Sequence, residues 1–174
     1  MLISLTGTPG TGKHTIGKLL AEKLGYDFVD VGKIINKNEK TEVSISTNGL
    51  NRAVKPFLTN DKIFVSHLAH FIMPSKIDLV IVLRCDPFKL IKRLYARHYP
   101  KNKVYDNAIF EAIDGTYIEA IKLNRKVIQI DDSDSKIRTV NTILNYLKNG
   151  KVPQFDRDYS KDIIKIEKIF KTVK

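Results

Sequence analysis

The sequence is poor in cysteine, since Cys85 is the single cysteine among 174 residues. One thiol excludes an internal disulfide and any metal site built from several cysteines. A lone cysteine is more often a small buried apolar side chain than a nucleophile. We therefore expect Cys85 to lie in the core without a catalytic role.

Long apolar segments are missing as well. No apolar run approaches the ~20 residues that a membrane-spanning helix needs. The first five residues are apolar, but no basic segment precedes them and a glycine-rich loop follows at once, which argues against a secretory signal. These absences predict a cytoplasmic protein that has no membrane partner.

Acidic residues are scarce relative to basic ones. The chain has 19 Asp and Glu against 30 Lys and Arg, which gives a formal net charge of +11. Such an excess raises the local concentration of polyanions, and both nucleotides and RNA qualify. A lysine-rich surface that is kept soluble by like charge is the alternative, because no RNA-binding motif with interleaved aromatic residues is visible.

The apolar residues that are present form short runs between helical patterns. A length of 174 residues suits one domain, so we expect residues 1–174 to form a single unit. Apolar and β-branched runs predict strands at 2–6, 26–31, 62–66, 77–83 and 127–130. Strands that alternate with helices indicate an α/β protein, with a five-stranded parallel sheet covered on both faces and ligands at the carboxyl ends of the strands.

Spacing and capping residues predict the first helices. One helix carries Ile16 and Leu20 and ends at Gly25, where a left-handed cap is needed. The polar stretch 33–60 is expected to hold two short helices around a mobile loop. Asp86 and Pro87 supply an N-cap and a first-turn proline for a further helix.

The second half of the chain is predicted to contain three more helical regions. Lys101 to Lys103 are interpreted as a basic linker, followed by one long helix with residues 109, 113, 117 and 121 on one face. Ser133 or Asp134 is expected to cap the next helix. A final amphipathic helix at about 158–173 is expected to dock on the domain, with a membrane or a partner helix as the alternative.

A glycine-rich loop follows the first strand. The segment from Gly7 to Thr15 runs Gly-Thr-Pro-Gly-Thr-Gly-Lys-His-Thr and fits the Gly-x4-Gly-Lys frame of a Walker A phosphate loop. Its glycines let the backbone wrap so that successive N–H groups face phosphate oxygens, and the positive end of the next helix adds to that field. We expect the nucleotide phosphates to contact Gly10, Thr11, Gly12, Lys13, His14 and Thr15.

Further short motifs follow in the order of a known family. They are Thr6 to Lys13, Asp30-Val31-Gly32, Ser66 to His70, Val82-Leu83-Arg84, Arg93-Leu94 with Arg97, and Asp106-Asn107 with Glu111. Over about residues 1–150 the chain resembles the adenylate-kinase group. More specifically, it resembles the short adenylate-kinase-like P-loop NTPases of archaea and eukaryotes, the CINAP-like family.

The resemblance implies a three-layer P-loop NTPase fold of the nucleoside monophosphate kinase type. Its parts would be a core that holds ATP with Mg²⁺, a monophosphate-binding segment near 30–52 and a short lid near 98–108. The implied chemistry is reversible phosphoryl transfer from ATP to AMP or a similar monophosphate, with ATPase activity. The family also serves in small-ribosomal-subunit maturation, which implies a ribosomal protein or rRNA as a partner.

Three residues are candidates for catalysis. Lys13 would bridge the outer phosphates of ATP and stabilise the charge during transfer. By resemblance, Arg97 would reach the ATP phosphates while Arg93 lies against the adenine. His67 follows the third strand and could orient the attacking group or move a proton. His70 lies three residues further on, and either a weak metal pair with His67 or a structural role would explain it.

Two positions depart from the family pattern, and both concern the metal. His14 stands where a Walker A loop has the Ser or Thr whose hydroxyl ligates Mg²⁺, and Val65 stands where the family has an acidic residue. Thr15 comes one position late and projects about 100° away on a helix. Asp27 or Asp30 could hold the metal through water. The metal ligands are therefore left open, with Thr15 and Asp30 as weak candidates.

Three functional hypotheses remain at this point. The first is an active nucleoside monophosphate kinase, with activity reduced by the changes at His14 and Val65. The second is a weakly active or inactive nucleotide-binding factor that contacts a ribosomal protein or rRNA in ribosome assembly. The third is a kinase for another small molecule, such as shikimate or a nucleoside. The monophosphate segment has few arginines, with Arg52 alone nearby and Lys33 at a position often acidic in the family.

Overall fold

A computed structural model describes residues 1–38, 45–132 and 135–171. Its centre is a five-stranded parallel sheet in the order β2-β3-β1-β4-β5, which confirms the predicted α/β class. The strands are β1 Leu2–Thr6, β2 Asp27–Asp30, β3 Lys62–Val65, β4 Leu79–Arg84 and β5 Val127–Asp131. Each strand overlaps a predicted one.

Eight α-helices are described around this sheet. They are α1 Lys13–Leu24, α2 Val31–Asn38, α3 Thr47–Val54, α4 Pro87–Tyr95, α5 Lys101–Ala112, α6 Gly115–Leu123, α7 Lys136–Asn149 and α8 Ile163–Lys171. The two short helices expected between 33 and 60 are α2 and α3, although α2 already begins at Val31. The mobile loop predicted between them falls on 39–44, outside the described residues.

The alternation of side chains along the strands gives the sheet two apolar faces. One face, which includes Ile3 and Leu5 of β1, packs against Ile16 and Leu20 of α1 and against α7. The opposite face packs against α2, α3 and α6 through separate clusters. Because both faces are covered, the central strands β1 and β4 are buried at every position, as a parallel sheet requires.

The predicted caps of α1 and α4 are confirmed. Gly25 ends α1 in the left-handed conformation, and the Asp86 carboxylate accepts backbone hydrogen bonds at the start of α4. The N-cap of α7 is Ser135, whose hydroxyl accepts from the Arg138 N–H. The predicted caps, Ser133 and Asp134, lie outside the described residues. Ser135 lies directly before the first helical residue, where an N-cap side chain can reach the third N–H of the helix.

The long helix predicted after a basic linker was wrong. Lys101 to Lys103 form the first turn of α5, and Asp114 separates α5 from α6 with a φ of 59°. Apolar spacing continues through this break and therefore hides it. The break has a physical cause, because the Arg84 guanidinium donates to the Asp114 carboxylate and to the Glu111 carbonyl at the end of α5.

The final helix docks on the same body as expected. Ile166 of α8 is fully buried in a cluster with residues of α4 and α5, and the Phe170 ring lies 5.2 Å from the Tyr105 ring. A turn of 3-10 helix, Tyr159–Asp162, leads into α8. Within the described ranges, no helix is both long and apolar enough to cross a membrane.

Candidate functional site

The glycine-rich loop joins the carboxyl end of β1 to the first turn of α1. Gly7, Gly10 and Gly12 all have positive φ values, which gives the loop the wrapped backbone expected of a phosphate-binding segment. Gly7 packs so closely on the Leu83 carbonyl of β4 that a Cβ atom would overlap it. The loop is therefore wrapped closely against the sheet.

Lys13 is enclosed by this loop. Its Nζ donates to the carbonyls of Gly7 and Thr8, at 2.7 and 2.9 Å, and the side chain is 6% exposed. Burial lowers the pKa of Lys13 to about 7, an effect that Glu111 opposes and the positive charge of Arg97 reinforces. An anion in the loop would replace these carbonyls as the partner of the ammonium group.

A buried ion pair between β4 and α5 contacts the phosphate loop. Arg84, the last residue of β4, donates through Nε to Glu111 of α5 at 2.7 Å, and both side chains are 1% exposed. The other Glu111 oxygen accepts from the Thr8 hydroxyl at 2.5 Å. Arg84 also lies over the Phe155 ring, with its guanidinium carbon 5.0 Å from the ring centroid. The pair thus connects the loop to α5 and to the segment before α8.

Arg93 lies beside the same loop. Its guanidinium donates to the Gly10 carbonyl at 3.3 Å and to the Asp132 carbonyl at 3.4 Å, and it contacts the buried Cys85 sulfur. The Asp132 carboxylate is buried and pairs with Lys136, next to Gly12. Arg93 therefore lies at the phosphate loop. Cys85 is buried as predicted, and burial raises the pKa of its thiol to about 12.

Arg97 and His67 both lie far beyond Lys13 in the sequence, but each of them interacts electrostatically with it. Arg97 is exposed in the turn that follows α4 rather than within the helix, yet its charge acts on Lys13. His67 follows β3, and burial, the charge of Lys13 and His70 all lower its pKa. Lys13 therefore interacts electrostatically with both of the other catalytic candidates.

His14 makes a contact that was not predicted. Its Nε2 lies 3.2 Å from the Asp30 carboxylate at the end of β2, and the imidazole is 57% exposed. The other Asp30 oxygen accepts from the Lys33 N–H at the start of α2. Asp27, the alternative carboxylate, pairs with Lys62 at the other end of β2 and lies away from this site. Thr15 is exposed on the first turn of α1.

His70 is placed as a structural histidine. It is 1% exposed, its Nδ1 lies 2.9 Å from the Thr6 hydroxyl, and its Nε2 lies 3.1 Å from the Glu119 carboxylate. A neutral imidazole satisfies both contacts when Nε2 donates and Nδ1 accepts. The weak metal pair of His67 with His70 is not supported, because both ring nitrogens of His70 already contact protein side chains.

We expect the buried His70 to make folding stability fall in mild acid. Burial lowers its pKa to about 4, whereas an exposed histidine titrates near 6.5. As the pH falls, His70 therefore takes up its proton in the unfolded chain before it does so in the folded protein. Its contribution to stability is fully present above the pKa of the unfolded chain, near 6.5, and is lost as the pH falls towards the pKa of the folded protein, about 4. Between pH 7 and pH 5 the loss from this group is about 2 kcal/mol, measured by urea unfolding.

The control for this effect is His70→Gln. This variant loses hydrogen bonds and starts from a lower stability, but it removes the titrating group and should flatten the dependence on pH between 7 and 5. An equal slope in both proteins would contradict the assignment to His70.

Mg²⁺ is the ion that the fold implies for this site. Mg²⁺ demands oxygen ligands in near-octahedral geometry. His14, the residue after Lys13, offers an imidazole nitrogen instead of a hydroxyl oxygen. Val65, at the end of β3, is apolar and fully buried. The two carboxylate oxygens of Asp30 are already in contact with the Lys33 N–H at the start of α2 and with His14. The site therefore does not fit the oxygen-only arrangement of a Walker A loop.

The amino-acid sequence is similar to a known domain family and to named proteins. The profile of the AAA domain family matches residues 3–119. A protein of Thermococcus onnurineus named "Putative adenylate kinase" is 38% identical over 157 residues, which is 86% of this chain and 86% of that protein. One of the same name from Methanococcus maripaludis is 34% identical over 163 residues, 84% of this chain and 88% of that protein.

Solved structures share the fold at low identity. Shikimate kinase from Acinetobacter baumannii, in complex with shikimate, has a TM-score of 0.66 at 16% identity and covers 87% of this chain and 95% of that chain. Deoxyadenosine kinase from M. mycoides has a TM-score of 0.58 at 17% identity and covers 87% of this chain and 100% of that chain. Likeness at these identities shows the α/β P-loop fold alone.

Proposed function

We propose that this chain, which belongs to the family of adenylate-kinase-like P-loop NTPases, is a kinase. It transfers the γ-phosphate of ATP to AMP or a related nucleoside monophosphate. The observation that carries this proposal is the wrapped loop from Gly7 to Gly12 with Lys13 enclosed by its carbonyls. Such a loop supplies many backbone donors and one cation to a polyphosphate.

The proposed roles follow from what phosphoryl transfer needs, which is positioning and neutralisation of charge rather than a covalent nucleophile. Lys13 leaves the loop carbonyls for the outer phosphates, and Arg97 adds a second cation near them. Arg93 is held by the Gly10 carbonyl and presents its exposed face to the adenine. His67, with a lowered pKa, is neutral at pH 7 and orients or deprotonates the attacking oxygen.

Two segments are proposed to close over the substrates. The monophosphate-binding segment at about 30–52 includes α2 and most of α3, and the lid at about 98–108 runs from the end of the turn after α4 through the first two turns of α5. Closure of such flaps excludes water from the transferred phosphate. We propose that residues 1–174 act as one kinase unit in the cytoplasm.

A second activity is proposed in the same protein, in keeping with the resemblance of the sequence to the CINAP-like family. The net charge of +11 favours contact with a polyanion such as rRNA or with a ribosomal protein during maturation of the small ribosomal subunit. ATP hydrolysis would accompany this role. If the kinase activity is weak or absent, the protein would act as a nucleotide-binding assembly factor.

The test is conversion of ATP and AMP into ADP, followed by chromatography with Mg²⁺ and, separately, with Mn²⁺. We expect ADP to form and Arg97→Ala to lower its rate by about a hundredfold, the usual effect of removing a group that stabilises charge in the transition state. The matched control is Arg125→Ala, since Arg125 is exposed and precedes β5, at the amino ends of the parallel strands, whereas the phosphate loop follows the carboxyl end of β1.

The outcomes separate the two proposed activities. ATP binding without ADP formation in either ion rejects the kinase and leaves the assembly factor. If Arg97→Ala were as active as the control Arg125→Ala, the proposed role of Arg97 at the ATP phosphates would be wrong.

A further inference from the structure

The pair formed by His14 and Asp30 is the feature of the site that the proposed transfer does not use. His14 follows Lys13 directly, at the loop position whose side chain faces the metal of a bound nucleotide in a Walker A loop. The imidazole is 57% exposed and the Asp30 carboxylate is 15% exposed. Both groups are therefore accessible to an ion that arrives with the nucleotide.

The sheet register explains why Asp30 is the partner. Asp30 of β2 lies directly opposite Val65 of β3, at the position where the family has its acidic residue. Asp30 therefore lies one strand outward of that position, or about 4.8 Å away. The imidazole of His14 is longer than the hydroxyl side chain of a Walker A loop and reaches Asp30, with its Nε2 3.2 Å from the carboxylate.

The separation between the two groups fits shared coordination. Ligand atoms that bind one ion at about 2.1 Å, at angles between 90° and 109°, lie about 3.0 to 3.4 Å apart. The distance from His14 Nε2 to the Asp30 oxygen is 3.2 Å, within that interval. Asp30 also lines an open cleft of about 500 Å³ with Lys18 and Lys33, so space for water ligands lies next to it.

The donors determine which ion fits. Imidazole nitrogen is a good ligand for divalent transition metals and a poor one for Mg²⁺, which selects oxygen. Two protein ligands do not hold such an ion alone, but phosphate oxygens and water complete the set when a nucleotide is present.

We propose that His14 and Asp30 form a site for a divalent transition-metal ion, such as Mn²⁺ or Co²⁺, that is bound together with the nucleotide and is preferred over Mg²⁺. This inference rests on the proposed function only in that nucleotide phosphates supply the remaining ligands. It does not require that the phosphate is transferred.

The first test detects the metal–nitrogen bond. Uniformly ¹⁵N-labelled protein is mixed with Mn²⁺ and the unlabelled β,γ-methylene analogue of ATP, and electron–nuclear double resonance is recorded. A directly bound protein nitrogen is expected to give a ¹⁵N coupling that His14→Gln removes. The matched control is His98→Asn, which removes another exposed histidine and keeps a residue that tolerates the left-handed φ of 58° at that position.

The second test measures affinity. In the presence of the same analogue, His14→Gln and Asp30→Asn are each expected to weaken Mn²⁺ binding by about tenfold, the lower end of the effect of disturbing a metal site. Asp30→Asn keeps an oxygen for the Lys33 N–H, so the cap of α2 remains. His14→Thr should move the preference from Mn²⁺ towards Mg²⁺, because it restores the oxygen ligand.

Three results bear on the inference. Absence of the ¹⁵N coupling while the analogue binds normally would overturn it, and so would Mn²⁺ affinity that His14→Gln leaves unchanged. In either case the pair is a structural contact between α1 and β2 only. A retained ¹⁵N coupling without any ADP formation would instead reject the proposed transfer and leave the metal site intact.

Discussion

Replacing Lys13 by alanine is expected to lower the rate of ADP formation by about a hundred- to a thousandfold, the range found when a group that stabilises transition-state charge is removed. The reason is that Lys13 is the cation enclosed by the loop, within hydrogen-bond distance of the Gly7 and Thr8 carbonyls. The measurement is the initial rate at saturating ATP and AMP. A rate within threefold of the unmodified protein would contradict the role given to Lys13.

A calorimetric control separates this role from a structural one. Because the pKa of Lys13 is about 7 in the free protein, most of it is neutral at pH 8, and a bound phosphate must raise that pKa. ATP binding at pH 8 should therefore take up nearly one proton, and affinity should fall as the pH rises above 7. Binding heats in two buffers of different ionisation enthalpy measure this uptake. The Lys13→Ala variant lacks this amine, so its binding of ATP should lack the proton uptake that Lys13 causes.

The phosphate loop could be predicted because its determinants are local. The glycines and Lys13 lie within seven consecutive positions, and the strand and helix on either side are continuous apolar patterns. The same holds for β1 and β4, which are buried at every position and therefore have no polar alternation to interpret. Where neighbouring residues in the chain decide the structure, the sequence was sufficient.

Contacts between distant segments could not be predicted in the same way. Thr8 and Glu111 are 103 positions apart, and both belonged to recognised motifs without any sign that they touch. His14 meets Asp30 only because the β2–β3 register places Asp30 beside Val65. The break at Asp114 was hidden since apolar spacing runs through it. Each of these features depends on packing that a single stretch of sequence does not encode.

Replacing Glu111 by alanine is expected to lower the free energy of unfolding by about 3 to 5 kcal/mol, the usual effect of breaking a buried ion pair from one side. Arg84 would keep its charge at 1% exposure while losing its buried carboxylate partner, which accepts from its Nε at 2.7 Å, and would retain only the half-exposed carboxylate of Asp114. The Cys85 N–H and the Thr8 hydroxyl lose an acceptor in the same step. Urea unfolding at pH 7 measures the loss.

The double variant Arg84→Met with Glu111→Leu distinguishes an unpaired charge from lost packing. Removing both partners leaves no buried charge, so the pair replacement should recover much of the stability that Glu111→Ala loses. ATP affinity gives a second readout, because the double variant still leaves Thr8 without its carboxylate and should bind ATP more weakly than its stability suggests. If the double variant were as unstable as the single one, packing of α5 rather than charge pairing would explain the loss. If it bound ATP normally, the hydrogen bond from Thr8 would have no part in holding the phosphate loop.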